Sequence, residues 1–231
     1  MIVAISDDIT RRSISRLCHF TPSRGLGYIL SGGVGILPSR MLRDEERLFY
    51  NPTDLARLDG HTDHICCSIE YPNAWYLDIA RGKEKLFLDW VVLFINPAVL
   101  AAKSTLFCPR NAAANYGVGI AGGYEAYASL FAPSVRGSGN RTYSRTFFRP
   151  DSVPTDEQAE VLVEGAIPIK DILAIGVSSH EQAQMEHVRL RLLGIDVSNL
   201  NFVICPQMFN KYALSTALKN GPKPLETLWT A

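Results

Sequence analysis

The sequence predicts an α+β protein with a mixed or antiparallel sheet, or two packed sheets, and few, short helices. Two observations carry this. Short β-prone runs recur along the chain, such as His64–Ile69 (HICCSI), Trp90–Ile95 (WVVLFI) and Val161–Val163, each closed by Gly, Pro or Asn. Helical periodicity is confined to brief stretches, without the regular strand–helix alternation of a parallel α/β protein.

Taken in order, residues 1–15 are polar and read as an N-terminal arm or short helix. Ser15–Phe20 reads as the first strand. Thr21-Pro22 reads as a helix start, with Thr as N-cap and Pro at the first helical position. Leu26, Ile29 and Leu30 form an apolar stripe that Gly32-Gly33 ends. His19 therefore falls at a strand-to-helix junction, where ligand-facing residues are common, although a lone His is more often structural.

Arg40 to Arg57 is charged and partly helical, and Arg57-Leu58-Asp59-Gly60 is a turn signal. His64–Ile69 is a buried strand closed by Tyr71-Pro72-Asn73, and Ala74–Ala80 begins a helix. Trp90–Ile95 is the strongest strand and Pro97–Leu100 a helical turn. Phe107–Asn111 is a strand end, and Tyr124–Phe131 a short helix. Pro133–Pro154, rich in Gly, Ser, Arg and aromatics, reads as one long loop of the kind that is usually functional or disordered. Leu173–Ser178 is a strand, Ser178 with Glu181 a capping box, and Gly194 the end of the helix that follows. Asn201–Cys205 is the last strand, before Pro206 and a frayed tail over 206–231. The total is about seven or eight strands in one domain.

Gln158-Ala159-Glu160 enters the strand Val161–Val163, which Gly165 and Pro168 end. Strand alternation puts Gln158, Glu160 and Leu162 on one face, and Ala159, Val161 and Val163 on the other. Taken alone, Glu160 is a solvent-facing strand-end carboxylate.

Composition sets further bounds. The chain has 231 residues, 47% hydrophobic and 20% charged, as a soluble globular protein has. No apolar run reaches membrane-spanning length, and Asp89 breaks the longest, around Leu86–Ile95. The acidic N-terminus lacks the features of a signal peptide, so a cytoplasmic protein is expected. Five cysteines without metal-ligand spacing read as buried thiols, and no metal is expected. Charge is balanced overall but not locally. Trp90 to Pro150 carries six basic residues against Glu125 alone, a +5 span in a neutral chain. That marks either a polyanion-binding face or a solvated loop with incidental arginines.

Several stretches together resemble the DarT family. They are His19-Phe20-Thr21 with the helix running to Gly33, Arg57-x-Asp59-Gly60, Cys67-Ser68-Ile69-x-x-Pro72-Asn73, Asn111-Ala112, and Gln158–Val163. The resemblance covers roughly residues 15–195 and rests on their order and spacing. These are toxins of DarT–DarG pairs that use NAD⁺ to ADP-ribosylate a base in DNA. The resemblance implies an ADP-ribosyltransferase-like fold. It implies an NAD⁺ site of His19, Phe20, Thr21, Leu26, Arg57 and Tyr76, with His19 on a ribose hydroxyl and Arg57 on the phosphates. Trp75 and Tyr71 are rivals to Tyr76. It implies Glu160 as the catalytic carboxylate together with Arg57. The Asp59–Asn73 region looks like the guanine-modifying branch. The implied partners are single-stranded DNA and a DarG-type antitoxin, with the chain acting as a monomer.

Chemistry agrees. NAD⁺ carries its own leaving group, and breaking its glycosidic bond gives an oxocarbenium-like transition state. One carboxylate can stabilise that charge and then accept a proton from the attacking amine. No Gly-x-Gly-x-x-Gly follows the first strand, which argues against a Rossmann dehydrogenase. Arg136, Arg141, Tyr143, Arg145 and Arg149 of the long loop, with Gln158, are the candidate DNA contacts: arginines for phosphates and aromatics for unpaired bases. Alternatives are transfer to thymine, to RNA or to protein, and a nucleic-acid-binding domain without activity.

Overall fold

A computed structural model describes residues 4–42, 59–83, 87–102, 104–114, 116–137 and 141–230. Arg57 and most of the charged segment Arg40–Arg57 lie outside these. The described helices are α1 Ile5–Arg12, α2 Leu26–Ser31, α3 Ala74–Lys83, α4 Val99–Ala102, α5 Gly123–Ser129, α6 His180–Leu192 and α7 Lys211–Asn220. The strands are β1 Leu17–Pro22, β2 His64–Ile69, β3 Trp90–Ile95, β4 Thr105–Cys108, β5 Ala121–Gly122, β6 Ser134–Arg136, β7 Thr142–Ser144, β8 Glu160–Glu164, β9 Ile172–Val177, β10 Phe202–Ile204 and β11 Thr227–Leu228.

Nine strands form one sheet in the order β11-β10-β9-β3-β1-β2-β8-β4-β5, and β6 pairs with β7 apart from it. Among the described strands, only β9 and β10 run parallel. The fold is α+β, as the pattern of short strands requires. The central β3, Trp-Val-Val-Leu-Phe-Ile, is buried at every position, because a mid-sheet strand covered on both faces admits no polar side. Helices α2, α5 and α6 pack on one face through Leu26, Ile29, Tyr127, Ala183 and Leu190. Helices α3 and α7 cover part of the other through Ala74, Leu214 and Leu218.

β2 and β3 have the bounds their composition predicts. Other elements differ. Thr21 and Pro22 are not a helix cap, because they pair with Val91 and Trp90 of β3. A 3-10 turn, Ser23–Gly25, then leads into α2. The cap of α6 is Ser179, whose hydroxyl accepts the Gln182 N–H, not Ser178. The Gln182 side chain accepts from the Ser178 N–H and hydroxyl, each at 2.8 Å, one residue before the cap. The N-terminal arm is a docked helix: Asp8 is buried between Arg11 and Arg12. The tail after Pro206 is not frayed. Asn210 caps α7 by accepting from the Tyr212 and Ala213 N–H groups, and Gly221, at φ +92°, ends it. Beyond α7, Glu226 meets Arg16 in a bidentate pair at 2.7 and 2.5 Å.

Candidate active site

The sheet splits beside β1. This strand stays paired with β3 over six positions, Leu17 to Pro22. It pairs with β2 only at Leu17↔Ile69 and Cys18↔Ser68. β2 meanwhile pairs with β8 from His64 to Cys67. Past Cys18 the two central strands therefore diverge, and their backbone groups turn to side chains. His19, the next residue, bridges the opening: its Nδ1 lies 2.8 Å from the Cys66 carbonyl oxygen. A carbonyl only accepts, so Nδ1 carries a proton and donates to it.

Glu160 opens β8 at the same level of the sheet. Val161 stands opposite Cys67, which places Glu160 one step along, beside Ser68, the β2 partner of Cys18. Glu160 is half-buried on the face of Leu162, while Val161 and Val163 point into the main core. The alternation read from the sequence thus holds from Glu160 to Glu164. It does not reach Gln158, which lies in the preceding turn. There the Asp156 carboxylate accepts the Gln158 N–H at 2.9 Å, and the Asp156 carbonyl accepts the Ala159 N–H at 3.1 Å. Burial pushes the Asp156 carboxyl above its ordinary range, opposed by the bond from Gln158.

The turn after β2 brings a further residue to Glu160. Glu70 adopts a left-handed φ of +65°, rare for a residue other than glycine. Its carboxylate accepts from the Ser15 N–H and, at 3.0 Å, from the Ser15 hydroxyl, and its carbonyl accepts from Arg16 Nε at 2.8 Å. These bonds offset the cost of that conformation. The chain then reaches Asn73, whose Nδ2 lies 3.5 Å from Glu160 Oε1. The sequence places Asn73 in the turn that closes β2 and in the family motif, without a part in the chemistry. Its signal was available, because Pro-Asn before an amphipathic run marks a helix start.

The candidate residues fall into distinct places. Leu26 is fully buried in the core, at the core-facing position of the α2 stripe. Thr21 is also buried, and Phe20 half-buried. Tyr76 stands across from Phe20 at 6.1 Å between ring centroids, beside the strand that carries His19. Its rivals turn elsewhere. Tyr71 is buried beneath Arg16, and Trp75 Nε1 donates to Glu157 Oε2 at 3.3 Å and to the Ser215 hydroxyl at 3.2 Å.

The long loop contains the β6–β7 hairpin, and its arginines are not equivalent. Arg136 and Arg141 are exposed and Tyr143 half-buried. Arg145 donates to the carbonyls of Val153 and Pro150 at 2.8 and 2.5 Å. Arg149 is 6% exposed, donates to the Pro154 carbonyl at 2.6 Å and lies 3.8 Å from Glu157. Burial pulls both guanidinium groups below their ordinary range. Arg145 and Arg149 hold the loop's own backbone, because a loop folded back on itself needs donors for its unpaired carbonyls. The cysteines are unbridged, Cys66 half-buried and the rest buried. Among the described residues, His61, Asp63 and His64 form a group whose ligand atoms lie within 4.8 Å, a donor set suited to a divalent transition metal.

Comparison with known proteins bears on this geometry. A family model described as "DarT: ssDNA thymidine ADP-ribosyltransferase" matches residues 18–210. The chain belongs to the DarT family. No curated protein matches. Among solved structures, Thermus sp. 2.9 DarT in complex with NAD⁺ is similar at a TM-score of 0.54 and 14% identity, over 84% of this chain and 97% of that one. The same DarT in complex with ADP-ribosylated ssDNA gives 0.50 and 14%, over 78% and 90%. Thermosipho africanus DarTG in complex with ADP-ribose gives 0.53 and 13%, over 84% of this chain. The chain spans about half, 51%, of the length of that Thermosipho chain. These likenesses establish that the DarT fold is shared. Among the described residues no helix is long and apolar enough to cross a membrane.

Proposed function

We propose that this chain transfers ADP-ribose from NAD⁺ to a base in single-stranded DNA. The observation that carries the reading is the split between β1 and β2, with His19 across it and Glu160 at its level, in a chain of the DarT family. His19 would hold a ribose hydroxyl through its imidazole ring, which its bond to the Cys66 carbonyl orients. Phe20 and Tyr76 would flank the nicotinamide side, and Arg57 would take the pyrophosphate with its fork of donors. The bond from the ribose C1′ to nicotinamide breaks, and nicotinamide leaves with the electron pair. Glu160 stabilises the positive charge left on the sugar. A base nitrogen then attacks C1′, and Glu160 accepts its proton. No step requires a metal ion.

A base inside a duplex hides its reactive edge, so a single strand is the substrate that costs less to present. Arg136, Arg141 and Tyr143 of the hairpin are the proposed contacts to that strand. The double variant Arg136→Ala/Arg141→Ala is expected to weaken single-stranded DNA binding. It should also lower the slope of log K against log salt by about 1.4, near 0.7 for each phosphate that an arginine no longer neutralises. Titration at several salt concentrations reads this, and an unchanged slope removes the hairpin from the DNA site.

For the base we propose guanine, attacking through its exocyclic amine, on the resemblance across Asp59–Asn73. Gln158 offers one donor and one acceptor to its edge. The description of the family model favours a second reading, thymidine. Oligonucleotides each lacking one base decide between them. Labelling that is lost only without guanine supports the first reading, and labelling lost only without thymine supports the second.

A DarG-type antitoxin is the proposed partner, supported by the likeness to the Thermosipho DarTG chain. Incubation with labelled NAD⁺ and separate DNA, RNA and protein pools tests the reaction class. Label in the single-stranded DNA pool is expected, and label confined to RNA or protein contradicts the reading.

A further inference from the structure

We propose that Asn73 is a positioning residue for the Glu160 carboxylate, and that the start of α3 fixes which end of its amide faces that carboxylate. The inference rests on Glu160 as the transfer carboxylate. Asn73 is 2% exposed, so both ends of its carboxamide must find partners within the protein. Its Oδ1 accepts the Tyr76 N–H at 3.0 Å, and its carbonyl accepts the Leu77 N–H at 2.9 Å, the bonds of an N-cap. With Oδ1 committed to the helix, Nδ2 is the group left to face Glu160 Oε1. A flipped amide would set NH₂ against the Tyr76 N–H and an oxygen against the carboxylate, two repulsive contacts. The helix cap thus orients the donor.

That donor favours the ionised form of Glu160 and limits rotation of its carboxylate, and the N-terminus of α3 adds its dipole in the same sense. Among the described residues, two thiols near Glu160 hold their protons. The Cys67 thiol of β2 is pushed up by burial first and by Glu160 second. The Cys108 thiol of β4 is pushed up by burial, opposed by a bond from the Arg110 backbone, with Glu160 and then Asp156 adding to the rise. Burial keeps both thiols protonated near neutral pH, so neither adds a negative charge beside Glu160. The turn from Glu70 to Asn73, held by Ser15 and Arg16, sets where the amide stands.

Asn73→Asp separates the two roles. Aspartate caps a helix as well as asparagine does, but it sets an oxygen where Nδ2 faced Glu160. Its expected phenotype is a folded protein with a lowered thermal midpoint, because a second carboxylate is buried against Glu160, a kcat lowered about 10²-fold, and a KM for NAD⁺ near that of the wild type. The pH profile should shift upward, and so should the titration of the ¹³C-labelled Glu160 carboxyl group followed by NMR. Asn73→Ser, uncharged and also a cap, should lower kcat in the same direction. It carries the test if the aspartate variant does not fold.

Wild-type kcat in a folded variant, or a Glu160 titration that does not move in Asn73→Asp, overturns the proposal. The carboxyl titration needs no DNA. If the wild type modifies no single-stranded DNA, the functional reading fails, while the coupling of Asn73 to Glu160 is still decided.

Discussion

Glu160→Ala is expected to lower ADP-ribose transfer by about 10³-fold while NAD⁺ binding changes little. The asymmetry follows from the role proposed for the carboxylate. The charge it answers develops on the ribose only as nicotinamide departs, so its loss falls on the transition state far more than on the bound ground state. Glu160→Gln should behave alike, since it keeps size and hydrogen bonding but loses both charge and proton acceptance. Fold should survive in both, because Glu160 is half-buried at a strand start and its neighbours Val161 to Val163 hold the register. Single-turnover rates with NAD⁺ binding measured in parallel check the split. Near wild-type turnover in either variant removes Glu160 from the reaction.

Deleting residues 206–231 is expected to abolish folding, not to trim a tail. Met208, Leu214 and Leu218 are buried on the face that also holds Cys18 and Phe94. Losing them forfeits roughly 1.5–3 kcal/mol for each side chain. Arg16, its side chain 11% exposed, would lose Glu226, a further cost of about 3–5 kcal/mol for a cation left without its partner. Together these reach the whole net stability of an ordinary domain, about 5–15 kcal/mol. Circular dichroism through a thermal scan reads the outcome. A cooperative transition close to that of the full chain would contradict it.

The parts legible in the sequence were those set by local pattern. His64–Ile69 and Trp90–Ile95 announced themselves because each is an unbroken apolar or β-branched run with turn residues at its ends. The alternation that turns Glu160 away from the core was legible because period two needs only the strand itself. The tail was misread because α7 has a modest apolar stripe, although Asn210 and Gly221 were present as its start and stop. Thr21-Pro22 misled because a cap signal was outweighed by pairing with β3, a partner some seventy residues away in the chain. Arg145 and Arg149 look like Arg136 and Arg141 in sequence. Only the fold separates buried donors to backbone from exposed ones, because that depends on where the loop returns. Asn73 escaped for the same reason: its cap is local, but the carboxylate its amide meets lies 87 residues on.

The most direct test is the intact mass of a single-stranded oligonucleotide after incubation with NAD⁺ and the protein, followed by digestion to nucleosides. The account predicts a gain of one ADP-ribosyl group on the DNA, carried by a base, with nicotinamide released in equal amount and no gain with Glu160→Ala. Nicotinamide released with the oligonucleotide mass unchanged, or an adduct on a phosphate or sugar in place of a base, would contradict it.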